Sequence, residues 1–328
     1  MKVSAPSTAK MLVRTVAVAG MGPLAFTATA SAQDVRVITF GAGGLNGAYY
    51  DAVSAICGQI NATHGPSIRC SPDPTPGSLY NIFGLTRGDL DFALVQSDAQ
   101  RAAWEGEGPF ALAGPQGELR SVLALYPEPL TLMVRTDSGI RSPIDLLGKR
   151  VDRGPATSGR RATFDRLIEA LEIGSGDFAE LTEHTTPVAL ASLCNGTLDA
   201  ALLVIGHPAS SIANALKTCD VTIAPMRGPA LDAFLGDNPD YAADVIPAAA
   251  YPEAGLENVP TFSVMATVMT RAELEPEIVE MVATEVVSNR ERLRDVAPVI
   301  GTLRLERVMG AGQTAPRHPG AEAAFDRK

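Results

Sequence analysis

The chain has little of what catalysis and metal binding usually draw on. Its 328 residues hold four histidines, His64, His184, His207 and His318, and none stands in an HExxH pattern, which excludes that zinc-hydrolase signature. The four cysteines, Cys57, Cys70, Cys194 and Cys219, form no CxxC pair, so no metal site is expected. Neither Ser78 nor Ser158 lies in G-x-S-x-G, and nothing in the spacing supports a Ser78, His207, Asp98 triad. No catalytic residue is assigned and no enzyme is expected. Tryptophan occurs once, at Trp104. Positive charge is also short: the net charge is −10, an acidic balance that argues against nucleic acid or anionic lipid as a partner.

Long apolar runs are confined to the N-terminus. Lys2, Lys10 and Arg14 accompany the mostly apolar stretch Met11 to Phe26, and Ala30-Ser31-Ala32 offers an A-x-A site before Gln33. Residues 1–32 therefore read as a secretory leader, cleaved after about Ala32. The run is broken by Gly and Pro and is too short to span a bilayer, and no second one follows, so no stable membrane insertion is expected. No cysteine stands at the cleavage point, which argues against a lipid anchor. Losing the three leader cations takes the net charge from −10 to −13. Export favours disulfides. Three pairings are formally open. The local pairing, Cys57–Cys70 with Cys194–Cys219, is the expected one; each bridge closes a short loop, worth on the order of 3 kcal/mol.

What the chain does have is strand signals alternating with helical periodicity, which means an α/β fold. Thr75-Pro76-Gly77 is a turn, and Ser78 is placed to cap a helix with Leu79, Ile82 and Phe83 on its buried face. Phe92 to Val95 is a buried strand that delivers Gln96, Ser97 and Asp98 at its carboxyl end, where open α/β sheets bind ligands. Earlier, Val35 to Phe40 leads into the glycine-rich turn Gly41 to Gly47 and a helix containing Tyr49 and Tyr50. The glycine spacing does not fit G-x-G-x-x-G, and no cofactor is expected. Asp89 and Asp91 read as solvated. Val122 to Leu125 and Leu130 to Val134 read as two strands meeting at the kink Tyr126-Pro127-Glu128-Pro129, which suits a crossing between lobes. The logic then repeats: Gly154 to Gly159 is a second glycine turn before a helix carrying Phe164, Leu167 and Ile168. Leu198 to Ile205 is a strand ending at Gly206-His207-Pro208. Val221 to Pro225 is a strand expected to return toward the first lobe, and 275–293 reads as one helix.

Taken together, several segments resemble the TAXI family, the extracytoplasmic solute-binding subunits of TRAP transporters. They are the Gly41–Tyr50 turn, Ile68–Cys70, Gly77-Ser78 with Asn81, Gly88 to Asp98, Gly154 with Ser158-Gly159, Gly206-His207-Pro208 and His318-Pro319-Gly320-Ala321. The resemblance implies a two-lobed periplasmic-binding-protein fold of type II, with the ligand in the cleft between lobes. Lobe I would comprise 34–126 and 227–328, and lobe II 127–226. It further implies a periplasmic receptor, expected to be monomeric, that delivers a small carboxylate to a TRAP membrane permease: glutamate, glutamine or a C5 dicarboxylate such as 2-oxoglutarate. A sensing module on the same fold is the alternative reading. The expected ligand contacts are Asn46, Tyr49, Thr75, Gly77, Ser78, Gln96, Asp98, Thr157, Ser158, Gly159, His207 and Tyr251. Arg160 and Arg161 are candidate partners for a second carboxylate. Where the family usually has Thr-Gly-Gly-Ser, this chain has Thr75-Pro76-Gly77-Ser78, and Pro76 removes one backbone donor from that loop.

Overall fold

The computed structural model describes residues 35–45, 47–238, 240–302, 308 and 310–326. Residues 1–34, which include the expected leader, and Asn46 lie outside the described residues. Strand and helix alternate from the start: β1 (Arg36–Gly41), α1 (Ala48–His64), β2 (Ile68–Asp73), α2 (Ser78–Arg87), β3 (Phe92–Gln96) and α3 (Ser97–Glu105), then the long β4 (Leu119–Arg135). The pattern resumes with β5 (Arg150–Asp152), α4 (Gly159–Ala170), β6 (Glu180–Thr182), α5 (Thr186–Cys194), β7 (Ala200–Val204), α6 (Ser210–Thr218), β8 (Val221–Ala224) and α7 (Pro229–Asp237). β9 (Ala242–Ile246), β10 (Val259–Arg271), α8 (Pro276–Ser288), α9 (Arg290–Val296) and α10 (Pro319–Asp326) complete it.

The strands join in the order β2-β1-β3-β10-β4-β7-β5-β6, with β8 on β4 and β9 on β10. β1 pairs in parallel with β2 and β3, and β5 with β6 and β7. Parallel pairing needs a crossover helix, and such helices cover the sheet faces, so every residue of β3 is buried. α1 and α8 pack on one side of the first half, through Ile56, Ile60, Val282 and Val286 against Ile38 and Phe40. Leu79, Ile82, Val95 and Phe110 form the core on the other. In the second half α4 brings Phe164 and Leu167 onto Leu130, Leu132 and Phe262, while Leu193, Leu203 and Ile212 join Met133 opposite.

β4 and β10 tie the halves together. β4 runs through the expected kink without a break. Each proline gives up a single N–H, and the antiparallel register with β10 holds across them: Pro127 faces Met265, Glu128 faces Val264 and Pro129 faces Ser263. Beyond Leu130 the strand pairs with β7 and β8. β8 therefore stays in the second half rather than returning to the first, because α6 carries the chain back to the edge of β4. The helix expected over 275–293 is two helices. Asn289 leaves helical geometry (φ −112°, ψ 19°) and turns its side chain onto Glu285 O and Oε2. Asp91 is buried rather than solvated and accepts the Thr39 N–H at 2.9 Å. Both expected disulfides are formed: Cys57–Cys70 ties α1 to β2, and Cys194–Cys219 ties α5 to the end of α6.

Candidate functional site

Two turns carry the chain from strand ends into helix starts, and the fold sets them face to face. Thr75 organises the first: its hydroxyl donates to Ala42 O at 3.0 Å and accepts from Gly77 N at 3.2 Å. The loop thus closes without a donor at Pro76. Gly77 has φ of 125°, which side chains rarely tolerate. Ser78 does not cap α2. Gly77 holds the cap position, and Ser78 Oγ accepts the backbone N–H of Gln96 at 3.0 Å. That N–H is buried at the end of β3 and needs an acceptor. On the opposite side Ser158 does cap α4, accepting from Arg161 N at 3.2 Å.

The two turns touch. Tyr80 N donates to Thr157 O at 3.2 Å. A Cβ built on Gly77 would lie 3.6 Å from Ser158, and one on Gly159 would run into Gln96 Oε1 and come within 2.6 Å of Ser78 Oγ. The positive ends of α2 and α4 therefore converge, the arrangement that favours an anion. Behind them lies a buried polar chain. Gln96 Nε2 donates to Thr163 Oγ1 at 3.0 Å, Thr163 Oγ1 donates to Asp98 Oδ2 at 2.6 Å, and Tyr241 OH donates to the same oxygen at 2.8 Å. Ala99 N takes Oδ1 at 2.8 Å. Asp98, expected to meet ligand, thus has both oxygens engaged within the protein. Burial raises its pKa, and these donors pull it back.

Both candidate arginines are held by protein acids, although Arg160 Nη1 is buried without a partner. Arg160 is buried and pairs with Asp152 and Leu202 O; Arg161 pairs with Asp165 and Glu183. A guanidinium committed to a buried carboxylate would strand that carboxylate on leaving.

One acid of the crossing strand β4 lies beside the candidate residues, bonded to Tyr49. Glu128 alternates with Pro127 and Pro129 along β4 and so projects to the opposite face. It is buried and accepts the hydroxyl of half-buried Tyr49 at 2.7 Å. Ser78 also lies within reach of that hydroxyl. Burial, with a smaller contribution from the Asp98 charge, pushes Glu128 up to about 8. His207 and Tyr251 belong elsewhere. His207 bonds Thr131 Oγ1 at 2.8 Å and Tyr251 OH at 2.5 Å, and it borders a cavity of about 710 Å³ whose floor is Pro127, Pro129, Ser263 and Met265, the other face of the crossing strands. Burial lowers its pKa to about 4.

So Tyr49, Thr75, Gly77, Ser78, Gln96, Asp98, Thr157, Ser158 and Gly159 gather at the front of the crossing strands, and His207 and Tyr251 behind them. Glu128, Thr163 and Tyr241 escaped the sequence reading. A lone acid between two prolines in an apolar strand was a usable signal for Glu128. Thr163 and Tyr241 gave none, since only tertiary packing brings them to Asp98.

Residues 40–327 match the NMT1-like family. The chain belongs to that family. Among solved structures, this NMT1-like chain is similar to MatC from Rhodopseudomonas palustris with bound malate, at 16% identity over 89% of this chain and 96% of that one, with a TM-score of 0.57. It is similar to a Listeria monocytogenes protein provisionally named an L-cystine ABC transporter, at 16% identity over 85% and 100%, with a TM-score of 0.50. A Bordetella bronchiseptica RB50 structure matches at 12% over 88% of each chain, with a TM-score of 0.52. At these identities the likeness is one of fold: the two-lobed periplasmic-binding-protein fold. Among the described residues no group of three or more His, Cys, Asp or Glu could hold a metal ion, and no helix is long and apolar enough to cross a membrane.

Proposed function

We propose that this NMT1-like chain is an exported, non-catalytic receptor. It captures a small carboxylate solute in the cleft and delivers it to a membrane permease of the TRAP type, as its resemblance to the TAXI subunits implies. Lobe I would be 34–126 with 227–328, and lobe II 127–226. The observation that carries the reading is the convergence of the α2 and α4 N-termini from opposite halves of the sheet, joined by the Tyr80 N to Thr157 O hydrogen bond. Exposed helix N-termini favour an anion by roughly 0.3–1 kcal/mol each, and by up to about 2 kcal/mol when partly buried. Backbone donors can hold a carboxylate without a free arginine, which fits a cleft whose arginines are already paired. Gly77, Ser78, Ser158 and Gly159 would supply the contacts, with Tyr49 and Gln96 beside them. The test is mass spectrometry of small molecules released from purified, denatured protein. A co-purified carboxylic acid that also raises the melting temperature on re-addition is the expected result. Turnover of the released compound by the refolded protein would overturn the reading in favour of an enzyme.

A further inference from the structure

Three residues between α7 and β9 reach both halves of the sheet. Asn238 accepts from Arg166 Nη2 of α4. Arg166 Cζ lies 5.6 Å from the Tyr241 ring centroid, and the Tyr241 hydroxyl donates to Asp98 Oδ2 of α3 at 2.8 Å. Asp240 stands between them. Its Oδ2 lies 3.3 Å from Arg101 Nε of α3 and 3.7 Å from Arg166 Nη1 of α4. Its side chain is 3% exposed, and among the described residues neither carboxylate oxygen has a hydrogen-bond partner. The two guanidinium groups are therefore what compensates a carboxylate held almost out of water.

The two pairs cannot both survive a separation of α3 from α4. Leu231, Phe234 and Tyr241 pack in the core of the second half. If Asp240 travels with that core, its pair with Arg101 breaks. If it travels with lobe I as residues 227–328, its pair with Arg166 breaks. The other bonds across this junction differ in kind: Gln96 with Thr163 joins neutral groups, and Asp98, which takes Thr163, also has Tyr241 and Ala99 N as donors. We propose that Asp240 is a latch: by binding Arg101 and Arg166 at once it holds the two halves together in the absence of solute, and so sets how often the cleft opens to admit or release one. This rests on the receptor reading above.

The experiment measures the distance between paired spin labels on the whole mature protein, freed of bound solute by unfolding in guanidinium and refolding. Leu112→Cys, between α3 and β4, and Val188→Cys, on α5, carry the labels; both positions are exposed and the four native cysteines are in disulfides. The expected result is that Asp240→Asn raises the longer-distance fraction about fivefold or more over the parent, the ratio that goes with losing one ion pair. Arg101→Gln or Arg166→Gln, whichever pair crosses the moving boundary, reproduces that shift and keeps the test decisive should Asp240→Asn fold poorly. Glu105→Gln, which removes a partner of Arg101 within α3 alone, leaves the distances as in the parent. Distances unchanged from the parent in Asp240→Asn and in both arginine variants, or a shift in Glu105→Gln as large as in Asp240→Asn, overturns this inference. The receptor reading is untouched by either result, since it stands on the co-purified acid.

Discussion

Replacing Ser78 by alanine removes the acceptor of the Gln96 N–H at the end of β3. A buried donor left without a partner costs about 1–3 kcal/mol. Ser78→Ala should therefore lower the urea midpoint clearly in the absence of ligand; an unchanged midpoint would show that the N–H finds another partner. Two buried groups, His207 and Glu128, contribute opposing slopes to the pH dependence of the ligand-free protein. His207 is lowered from 6.5 to about 4, so its contribution is complete above 6.5 and is lost as pH falls through about 4. Glu128 is raised from 4.5 to about 8, so its contribution is complete below 4.5 and is lost as pH rises through about 8. Between 4.5 and 6.5 the two slopes oppose each other. From 6.5 to about 8 the His207 contribution is complete and Glu128 supplies a falling slope of up to about 1.4 kcal/mol per pH unit. Melting curves across that upper interval should show a decline that Glu128→Gln removes. A decline that persists in the variant would place its origin in another group.

If the receptor closes on its ligand as proposed, the start of α4 is the element on which that closure would turn. Gly159 faces Gln96 and Ser78 so closely that an added methyl group must displace the Gln96 carboxamide and the Ser78 hydroxyl. Gly159→Ala should fold, keep its far-ultraviolet spectrum, and hold the two halves apart, weakening ligand binding by about tenfold or more, on the order of 1.4 kcal/mol. Solution scattering that shows the same ligand-induced compaction as the parent would contradict this. The element pattern was largely legible beforehand. Strand, glycine turn and helix start recur at Gly41 and Gly154 because the alternation of apolar runs is local and strong. β4 was misread as two strands, since proline signals a break from its own missing N–H, whereas pairing along β10 decides the outcome. The split at Asn289 depends on a side chain bonding back to Glu285. Ser78 was correctly placed at a helix start, but its partner, Gln96 N, lies 18 positions away and has no local signature. Arg160 looked like a ligand for an anion; Asp152, buried eight residues before it, claims it instead.

Two disulfides close loops of 13 and 25 residues, each worth about 3 kcal/mol in the chain-entropy picture. Reduction should lower the melting temperature by several degrees or more, and a thiol assay on the unreduced, denatured protein should find no free sulfhydryl; detection of one would break the pairing. The described residues form four apolar clusters, and the hydrogen bonds between the converging turns are drawn from none of them. Where α2 and α3 meet α4, the partners are Tyr80 N with Thr157 O, Gln96 with Thr163, and Thr163 with Asp98. Separating those surfaces wets amides, hydroxyls and a carboxylate while the apolar clusters stay dry. Apolar hydration raises heat capacity and polar hydration lowers it. Closure on a ligand should accordingly leave little heat-capacity signal of its own, and the change measured on binding should be set by the apolar surface of the solute.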